Sequence, residues 1–197
     1  MVPEPIQATL LVVEALEALG VPYLIGGSLA SAVHGVVRTT MDADLVADLR
    51  PEHAEPLAQA LGDAFYVDAA SIRDAIRHRS SFNVIHLESM FKVDIFIPKQ
   101  RPFDRTQLQR RTKQVIATEP EREAYVATAE DTILAKLEWY RRGGEVSDRQ
   151  WQDVLGVLKV QGNRLDLAYL RQWAASLGVS DLLEKALTEA GLPGEGP

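Results

Sequence analysis

The sequence predicts an α+β fold in which a small mixed sheet is flanked by helices and followed by a C-terminal helical bundle. Two observations predict it. Residues 23–97 contain several short runs rich in apolar and β-branched residues, whereas residues 130–190 contain four runs with helical periodicity. No flexible linker separates the two halves. We therefore expect a core over residues 1–120 and a helical region over residues 121–197 that packs on the core.

The composition excludes several classes of protein. The 197 residues include no cysteine, which excludes a disulfide framework, a thiolate zinc site and a cysteine nucleophile. The N-terminal segment carries Glu4 and Glu14 rather than a basic region, and no apolar run approaches the ~18 residues of a membrane span. We therefore expect a cytoplasmic protein that makes no membrane contact. The net charge of −7 disfavours general nucleic-acid binding.

The elements of the first half follow from periodicity and from the residues that end each run. Apolar residues at helical spacing predict a helix over 6–19, which Gly20 and Pro22 end. Alternation of polar and apolar residues over 40–48 predicts a strand. The other expected elements are a strand over 23–25, a short helix over 29–34, a helix over 52–62, a helical turn over 72–79, strands over 82–88 and 91–97 joined by Ser89-Met90, and a short strand over 125–128.

The second half is predicted to be helical throughout. Gly143-Gly144 marks a break after the first helix, Ser147 is suited to cap the start of the second, and Gly178 is suited to end the third. The predicted helices cover residues 130–142, 148–160, 166–177 and 180–190.

The first candidate for chemistry is the pair Asp42 and Asp44. Two positions apart on a strand, their side chains leave the same face with Cα atoms about 6.5–7 Å apart. Like charges at that separation favour a bound cation, and hard carboxylate oxygens suit Mg²⁺ or Mn²⁺. The alternative is that both carboxylates are solvated on an open face of the sheet.

Asp94 is a third candidate ligand. It lies in the apolar run of residues 91–97, on the opposite side of the strand from Val93 and Ile95, where an acid needs a partner. A strand beside that of Asp42 and Asp44 would bring the third carboxylate to the same cluster, and such clusters hold two cations in phosphoryl-transfer sites. The alternative is an ion pair with Lys92 or with an arginine.

Gly26, Gly27 and Ser28 form a turn between a predicted strand and a predicted helix. Glycines allow a backbone to approach phosphate oxygens closely, and the Ser28 hydroxyl can donate to a phosphate or cap the helix. By itself this pattern is weak, because any tight strand-to-helix turn has a similar composition.

Taken in order, these motifs resemble the nucleotidyltransferases of the DNA polymerase beta superfamily. The matching runs are Ile25-Gly26-Gly27-Ser28, then Gly35-Val36-Val37-Arg38-Thr39-Thr40-Met41-Asp42-Ala43-Asp44, then Asp94 on a later strand. The resemblance covers residues 20–98, about half of the chain. With its helical second half, the chain is most similar to the small bacterial abortive-infection nucleotidyltransferases, which act as toxins.

The resemblance implies a nucleotidyltransferase-type fold and a two-metal transfer of a nucleoside monophosphate from a nucleoside triphosphate such as ATP to a hydroxyl group. It assigns Asp42, Asp44 and Asp94 as catalytic residues and ligands of Mg²⁺ or Mn²⁺. It also assigns Gly26, Gly27, Ser28, Arg38 and Lys136 to the nucleotide. Asp148 and Asp153 loosely match a later acidic motif of the family. The alternative role for Arg38 is a structural ion pair. The alternative for Lys136 is an ordinary lysine on a helix.

The acceptor is not specified by these motifs, and three hypotheses remain. The first is transfer to RNA, for instance to a tRNA end, in a toxin-like role with an antitoxin protein as partner. The basic stretch of residues 101–113 favours it. A second basic cluster contains Arg73, Arg77, His78 and Arg79. A small molecule such as a cationic antibiotic is favoured by the acidic net charge. The third hypothesis is a catalytically silent protein that binds a nucleotide or a partner, which the presence of all three acids disfavours.

Overall fold

The structure is a computed structural model that describes residues 4–36, 40 and 42–194. The predicted α+β class, with a mixed sheet and a C-terminal helical bundle, is confirmed. The chain forms two compact units, the first made of residues 1–29 and 39–127 and the second of residues 30–38 and 128–197. The first unit thus extends past residue 120, where the sequence placed the boundary, because residues 121–126 form a strand of the sheet.

The first unit combines a sheet with helices. Its elements in chain order are α1 Glu4–Ala18, β1 Tyr23–Ile25, the start of α2 Gly27–Val33, β2 Asp42–Ala47, a 3₁₀ turn Pro51–His53, α3 Ala54–Leu61, β3 Phe65–Tyr66, α4 Ala69–His78, β4 Ser81–His86, β5 Lys92–Phe96, α5 Pro102–Arg110, β6 Thr112–Thr118 and β7 Glu121–Val126.

The strands of the described residues form one seven-stranded sheet in the order β3-β4-β5-β2-β1-β7-β6. β2 pairs in parallel with β5 and antiparallel with β1, and β1 pairs in parallel with β7. The outer pairs, β3–β4, β4–β5 and β6–β7, are antiparallel. The sheet is therefore mixed, and β2 is its central strand.

The period of two in the sequence determines which residues enter the core. In β2 the buried residues are Ala43, Leu45 and Ala47, and they alternate with half-buried residues. β5 follows the same rule with Val93 and Ile95, neither of which is exposed. The buried faces of both strands point the same way. The acidic residues that alternate with the buried ones therefore lie together on the other face of the sheet.

The second unit is helical. Its elements are the end of α2 and the turn that follows, α6 Ala129–Arg142, α7 Asp148–Gln161, a 3₁₀ turn Gly162–Arg164, α8 Leu167–Leu177 and α9 Ser180–Ala190. As predicted, Ser147 caps α7 by accepting from the backbone N–H of Gln150, and Gly178 ends α8 with φ +71°. Among the described residues, no helix is both long and apolar enough to cross a membrane.

Four features of the first unit were not predicted from the sequence. β3 is only two residues long, and α5 is polar, with Phe103 and Asp104 its only buried residues. β6 lies at the edge of the sheet, where Ala117 alone is buried. The connection between β4 and β5 covers residues 87–91, so it is longer than the predicted Ser89-Met90 turn. Elements with so little buried surface leave little hydrophobic periodicity to detect.

Candidate active site

The sheet brings the three predicted acids together on one face. Asp44 of β2 lies directly opposite Asp94 of β5 in the parallel register, and Asp42 lies opposite Lys92. Neighbouring strands are separated by about 4.8 Å, so the Asp44 and Asp94 side chains project from adjacent positions on the same face. All three aspartates are half-buried.

Asp44 packs against the glycine turn. A Cβ atom built on Gly27 would lie 2.7 Å from Cγ of Asp44, which is closer than real Cβ contacts come. Gly27 also has φ +54°, a conformation that L side chains rarely adopt. The N–H of Gly26 donates to the backbone carbonyl of Asp44 at 2.8 Å. Two independent reasons, close approach and backbone conformation, therefore require glycine at position 27.

Asp42 is contacted by Thr40, which precedes β2 in the chain. The Thr40 hydroxyl lies 2.7 Å from the backbone oxygen of Asp42 and 3.3 Å from its Oδ1 atom. Thr40 is itself buried, at 8% exposure. Thr40 belongs to the sequence run that carries the resemblance, but its contact with Asp42 was not part of the prediction.

Lys92 adds a positive charge to the cluster. Its Nζ atom lies 2.6 Å from Oδ2 of Asp94, and the two side chains are 42% and 19% exposed. The hydrogen bond to Asp94 is the main cause that raises the pKa of Lys92, and the charges of Asp94, Asp42 and Asp44 act in the same direction. The ion pair that was the alternative interpretation of Asp94 is thus present in the structure.

A divalent cation such as Mg²⁺ requires several oxygen donors close together. Three carboxylates share one face of two adjacent strands, and such hard oxygen donors suit Mg²⁺ or Mn²⁺. Within residues 4–36, 40 and 42–194, the side chains as placed form no group of three acids or histidines that could hold a metal ion. The carboxylate oxygens suit the cation in chemistry and share one face of the sheet, with the ammonium of Lys92 next to one of the three.

The remaining predicted nucleotide ligands are placed as follows. Ser28 is buried in the first turn of α2, at 9% exposure. Arg38 lies outside the described residues. Lys136 lies in α6 of the second unit, where its Nζ atom is 2.8 Å from Oδ2 of Asp153 on α7. These two side chains are only 10% and 3% exposed, so the ion pair is buried.

Gly35, the first residue of the long motif, is fixed within the second unit. It has φ +112°, and a Cβ atom there would lie 2.9 Å from Cβ of Val160 on α7. The next residue makes a similar close contact from the other side: a Cβ atom on Gly156 of α7 would lie 2.6 Å from a methyl carbon of Val36. Glycines at 35 and 156 therefore allow residues 35–36 to lie close against α7.

Both basic clusters are partly neutralised. In the stretch 101–113, Arg101 forms an ion pair with the buried Asp104 at 2.7 Å. The guanidinium of Arg111 and the ammonium of Lys113 lie over the ring of Tyr125, 4.6 and 5.6 Å from its centroid. In the other cluster, Arg73 pairs with Glu55, His78 lies 3.2 Å from Asp74, and Arg79 donates to the carbonyl of Pro98.

Comparisons with known proteins identify the fold. No family model matches the chain, and no curated protein matches it in sequence. Among solved structures, the antibiotic-resistance factor ANT(2'')-Ia is similar, with 14% identity, a TM-score of 0.58, and coverage of 95% of this chain and 100% of that chain. A complex of ANT(2'')-Ia with adenylyl-2''-tobramycin gives a TM-score of 0.58 at 14% identity, with coverage of 86% and 97%.

A third solved structure is an antigenic nucleotidyltransferase-like protein from Paracoccidioides brasiliensis. It is 19% identical, with a TM-score of 0.53 and coverage of 87% of this chain and 90% of that chain. Identities this low show the fold alone. The predicted nucleotidyltransferase-type fold, a mixed sheet with flanking helices, is thereby confirmed.

Proposed function

We propose that the protein is a metal-dependent nucleotidyltransferase, which transfers a nucleoside monophosphate from a nucleoside triphosphate to a hydroxyl acceptor. The observation that carries the proposal is the register of β2 and β5, which sets Asp44 opposite Asp94 and keeps Asp42 on the same face. The similarity in fold to nucleotidyltransferase-like proteins supports it.

Each residue of the cluster has a role in this reaction. The acceptor oxygen attacks the α-phosphorus, the bond from that phosphorus to the bridging oxygen breaks, and pyrophosphate leaves. Asp42 and Asp44 would hold Mg²⁺ or Mn²⁺ together with Asp94, and such a cation supplies charge stabilisation for the phosphate oxygens. In this proposal Asp94 also accepts the proton of the hydroxyl group.

The turn at residues 26–28 is the proposed contact for the β- and γ-phosphates. Its two glycines have no side chains to keep a phosphate from the backbone, and the hydroxyl of Ser28 is the proposed donor, since the N–H of Gly26 already donates to the carbonyl of Asp44. Arg38 and Lys136 remain proposed nucleotide ligands. For Lys136 this role requires its ammonium to leave the buried pair with Asp153.

A small hydroxylated molecule is the first proposed acceptor. The fold is similar to that of ANT(2'')-Ia, which has been solved with adenylyl-2''-tobramycin, and the net charge of −7 favours a cationic acceptor. RNA in a toxin-like role, with an antitoxin protein as partner, is the second. The exposed Arg105 in the basic stretch favours it, whereas the pairing of Arg101 with Asp104 weakens it.

The test is transfer of label from each of four α-³²P nucleoside triphosphates, with Mg²⁺, into aminoglycosides, total RNA and protein. We expect label in one fraction, and a loss of at least about 10³-fold in the Asp42→Asn/Asp44→Asn variant, because the substitutions remove two charges from the cation site. The matched control is Asp63→Asn, which changes an exposed acid of the same unit.

Each result has a defined meaning. Label in the aminoglycoside fraction identifies a small-molecule acceptor, and label in RNA identifies the acceptor that the toxin-like alternative requires. Saturable triphosphate binding without transfer to any fraction would contradict the proposed activity and leave the nucleotide-binding alternative.

A further inference from the structure

Lys92 occupies a specific position in the carboxylate cluster. It lies opposite Asp42 across the β2–β5 pair and two residues before Asp94, so it shares the face of all three aspartates. Its ammonium contacts the Asp94 carboxylate at 2.6 Å. A single charged side chain thus supplies positive charge directly against one of the three carboxylates proposed to bind the cation.

The pair has the properties of an exchangeable contact. The Lys92 side chain is 42% exposed, and a lysine ammonium is a strongly hydrated point charge on a flexible stem. Ion pairs this exposed contribute little stability, so their separation costs little free energy. The Asp94 side chain is 19% exposed, which leaves it accessible from the same side.

We propose that Lys92 is an internal counter-cation of the cluster, which competes with the divalent metal ion for Asp94 and must move away when the metal binds. The inference rests on the proposed function for the identity of the metal site. Its consequence is that metal affinity in the absence of nucleotide is weakened by Lys92, so that the metal binds tightly only when the negative charge of a triphosphate is also present.

The main alternative is that Lys92 binds a substrate phosphate. Lysine is a common phosphate ligand, and the two roles predict different measurements. A counter-cation lowers the affinity of the protein for metal alone. A phosphate ligand leaves that affinity unchanged and raises the affinity for triphosphate.

The experiment is a titration of the full chain with Mn²⁺ in the absence of nucleotide, in which electron paramagnetic resonance measures the free ion. The variants are Lys92→Gln and Lys92→Met, with Lys99→Gln as the matched control. Lys99 is exposed and lies beyond the end of β5, so its substitution makes the same charge change away from the cluster. Asp42→Asn/Asp44→Asn gives the background of unrelated sites, and thermal unfolding confirms that each variant is folded.

Removal of Lys92 should lower the Kd for Mn²⁺ by about tenfold, in line with the loss of one adjacent unit charge, whereas Lys99→Gln should leave it unchanged. If wild type shows no saturable site and Lys92→Gln does, the proposal is also supported. It is overturned if both Lys92 variants leave the Kd unchanged or raise it, or if neither wild type nor the variants show a site that depends on Asp42 and Asp44.

The transfer assay separates this inference from the proposed function. Wild-type transfer together with an unchanged Kd in both variants refutes the role of Lys92 alone. A lowered Kd without any transfer supports the counter-cation and refutes the activity. Weaker triphosphate binding at an unchanged metal Kd would assign Lys92 to the phosphates and overturn the proposal.

Discussion

A lysine–aspartate pair that includes a predicted site residue lies in each of the two units, and the two pairs differ in burial. Lys92 and Asp94 in the first unit are 42% and 19% exposed and lie 2.6 Å apart. Lys136 and Asp153 in the second unit are 10% and 3% exposed and lie 2.8 Å apart. The contact geometry is nearly the same, whereas the access of water is not.

This difference in burial separates two kinds of role. In the buried pair between α6 and α7, removal of one partner leaves the other charge in a poorly solvated interior, so loss of a single partner is costly. In the half-exposed pair, water replaces the lost partner, so separation of the two side chains costs little free energy. Ion pairs of similar contact geometry are therefore expected to differ in how strongly they resist separation, according to burial.

The largest expected effect is on stability, from substitution of the two lysines by methionine. Lys136→Met should destabilise the second unit by about 3–5 kcal/mol, because it leaves the Asp153 carboxylate buried without the ammonium. Lys92→Met should cost less than about 1 kcal/mol, as expected for an exposed pair. Urea unfolding measures both, and tryptophan fluorescence follows the second unit, which contains Trp139, Trp151 and Trp173.

The double variant Lys136→Met/Asp153→Leu provides the control. Because apolar residues can replace a buried ion pair at little cost, it should recover at least half of the stability lost in Lys136→Met. Equal effects of Lys136→Met and Lys92→Met would show that burial does not distinguish the two pairs.

A smaller effect is expected at the backbone that positions the first-unit carboxylates. Gly27→Ala should destabilise by about 2–4 kcal/mol, because it combines a left-handed conformation with a clash against Asp44. Gly20→Ala is the matched control, since Gly20 has φ +66° and open space around its missing Cβ, and should cost about 1 kcal/mol. Urea midpoints followed by circular dichroism give both values.

Gly27→Ala should also reduce nucleotidyl transfer, whereas Gly20→Ala should not. The displaced Asp44 would no longer lie opposite Asp94 in the proposed metal site. Retention of full transfer in Gly27→Ala would mean that the close approach of Gly27 to Asp44 is not needed by the site.

Much of the candidate site was predictable because it depends on local pattern. Alternation along β2 and β5 places Asp42, Asp44 and Asp94 opposite the buried residues, and the resemblance to the nucleotidyltransferases implied that the two strands are neighbours. The register of Asp44 with Asp94 was not predictable, because strand register is set by contacts between distant parts of the chain. The contact of Gly27 with Asp44 has the same origin.

The partners of charged side chains were the least predictable feature. The sequence around Lys136 does not reveal a partner for its charge, because the pairing with Asp153 depends on the packing of two helices. Lys92 was recognised only as an alternative partner of Asp94, because its contact depends on side-chain conformation. α5 and β6 were missed since a polar helix and an edge strand bury too little apolar surface to produce a periodic signal.

The smallest expected effect extends the comparison to a fully exposed acid, Asp68 at the start of α4. Its carboxylate accepts hydrogen bonds from the Ser71 hydroxyl and from the N–H groups of Ala70 and Ser71, and the hydroxyl bond is the main cause that lowers its pKa below 3.8. The charged form is therefore favoured in the folded state. Its contribution to stability is complete above pH 3.8 and is lost as the pH falls through the lowered folded pKa.

Asp68→Asn and Asp68→Ala separate the charge of Asp68 from its capping role. Asparagine can cap the helix but does not titrate, so the Tm difference between wild type and Asp68→Asn should be greatest near neutral pH and shrink in acid. Alanine removes the cap and should lower Tm at every pH. A wild-type advantage over Asp68→Asn that grows in acid would reverse the sign and show that the folded state favours the protonated carboxyl, as burial rather than hydrogen bonding would produce.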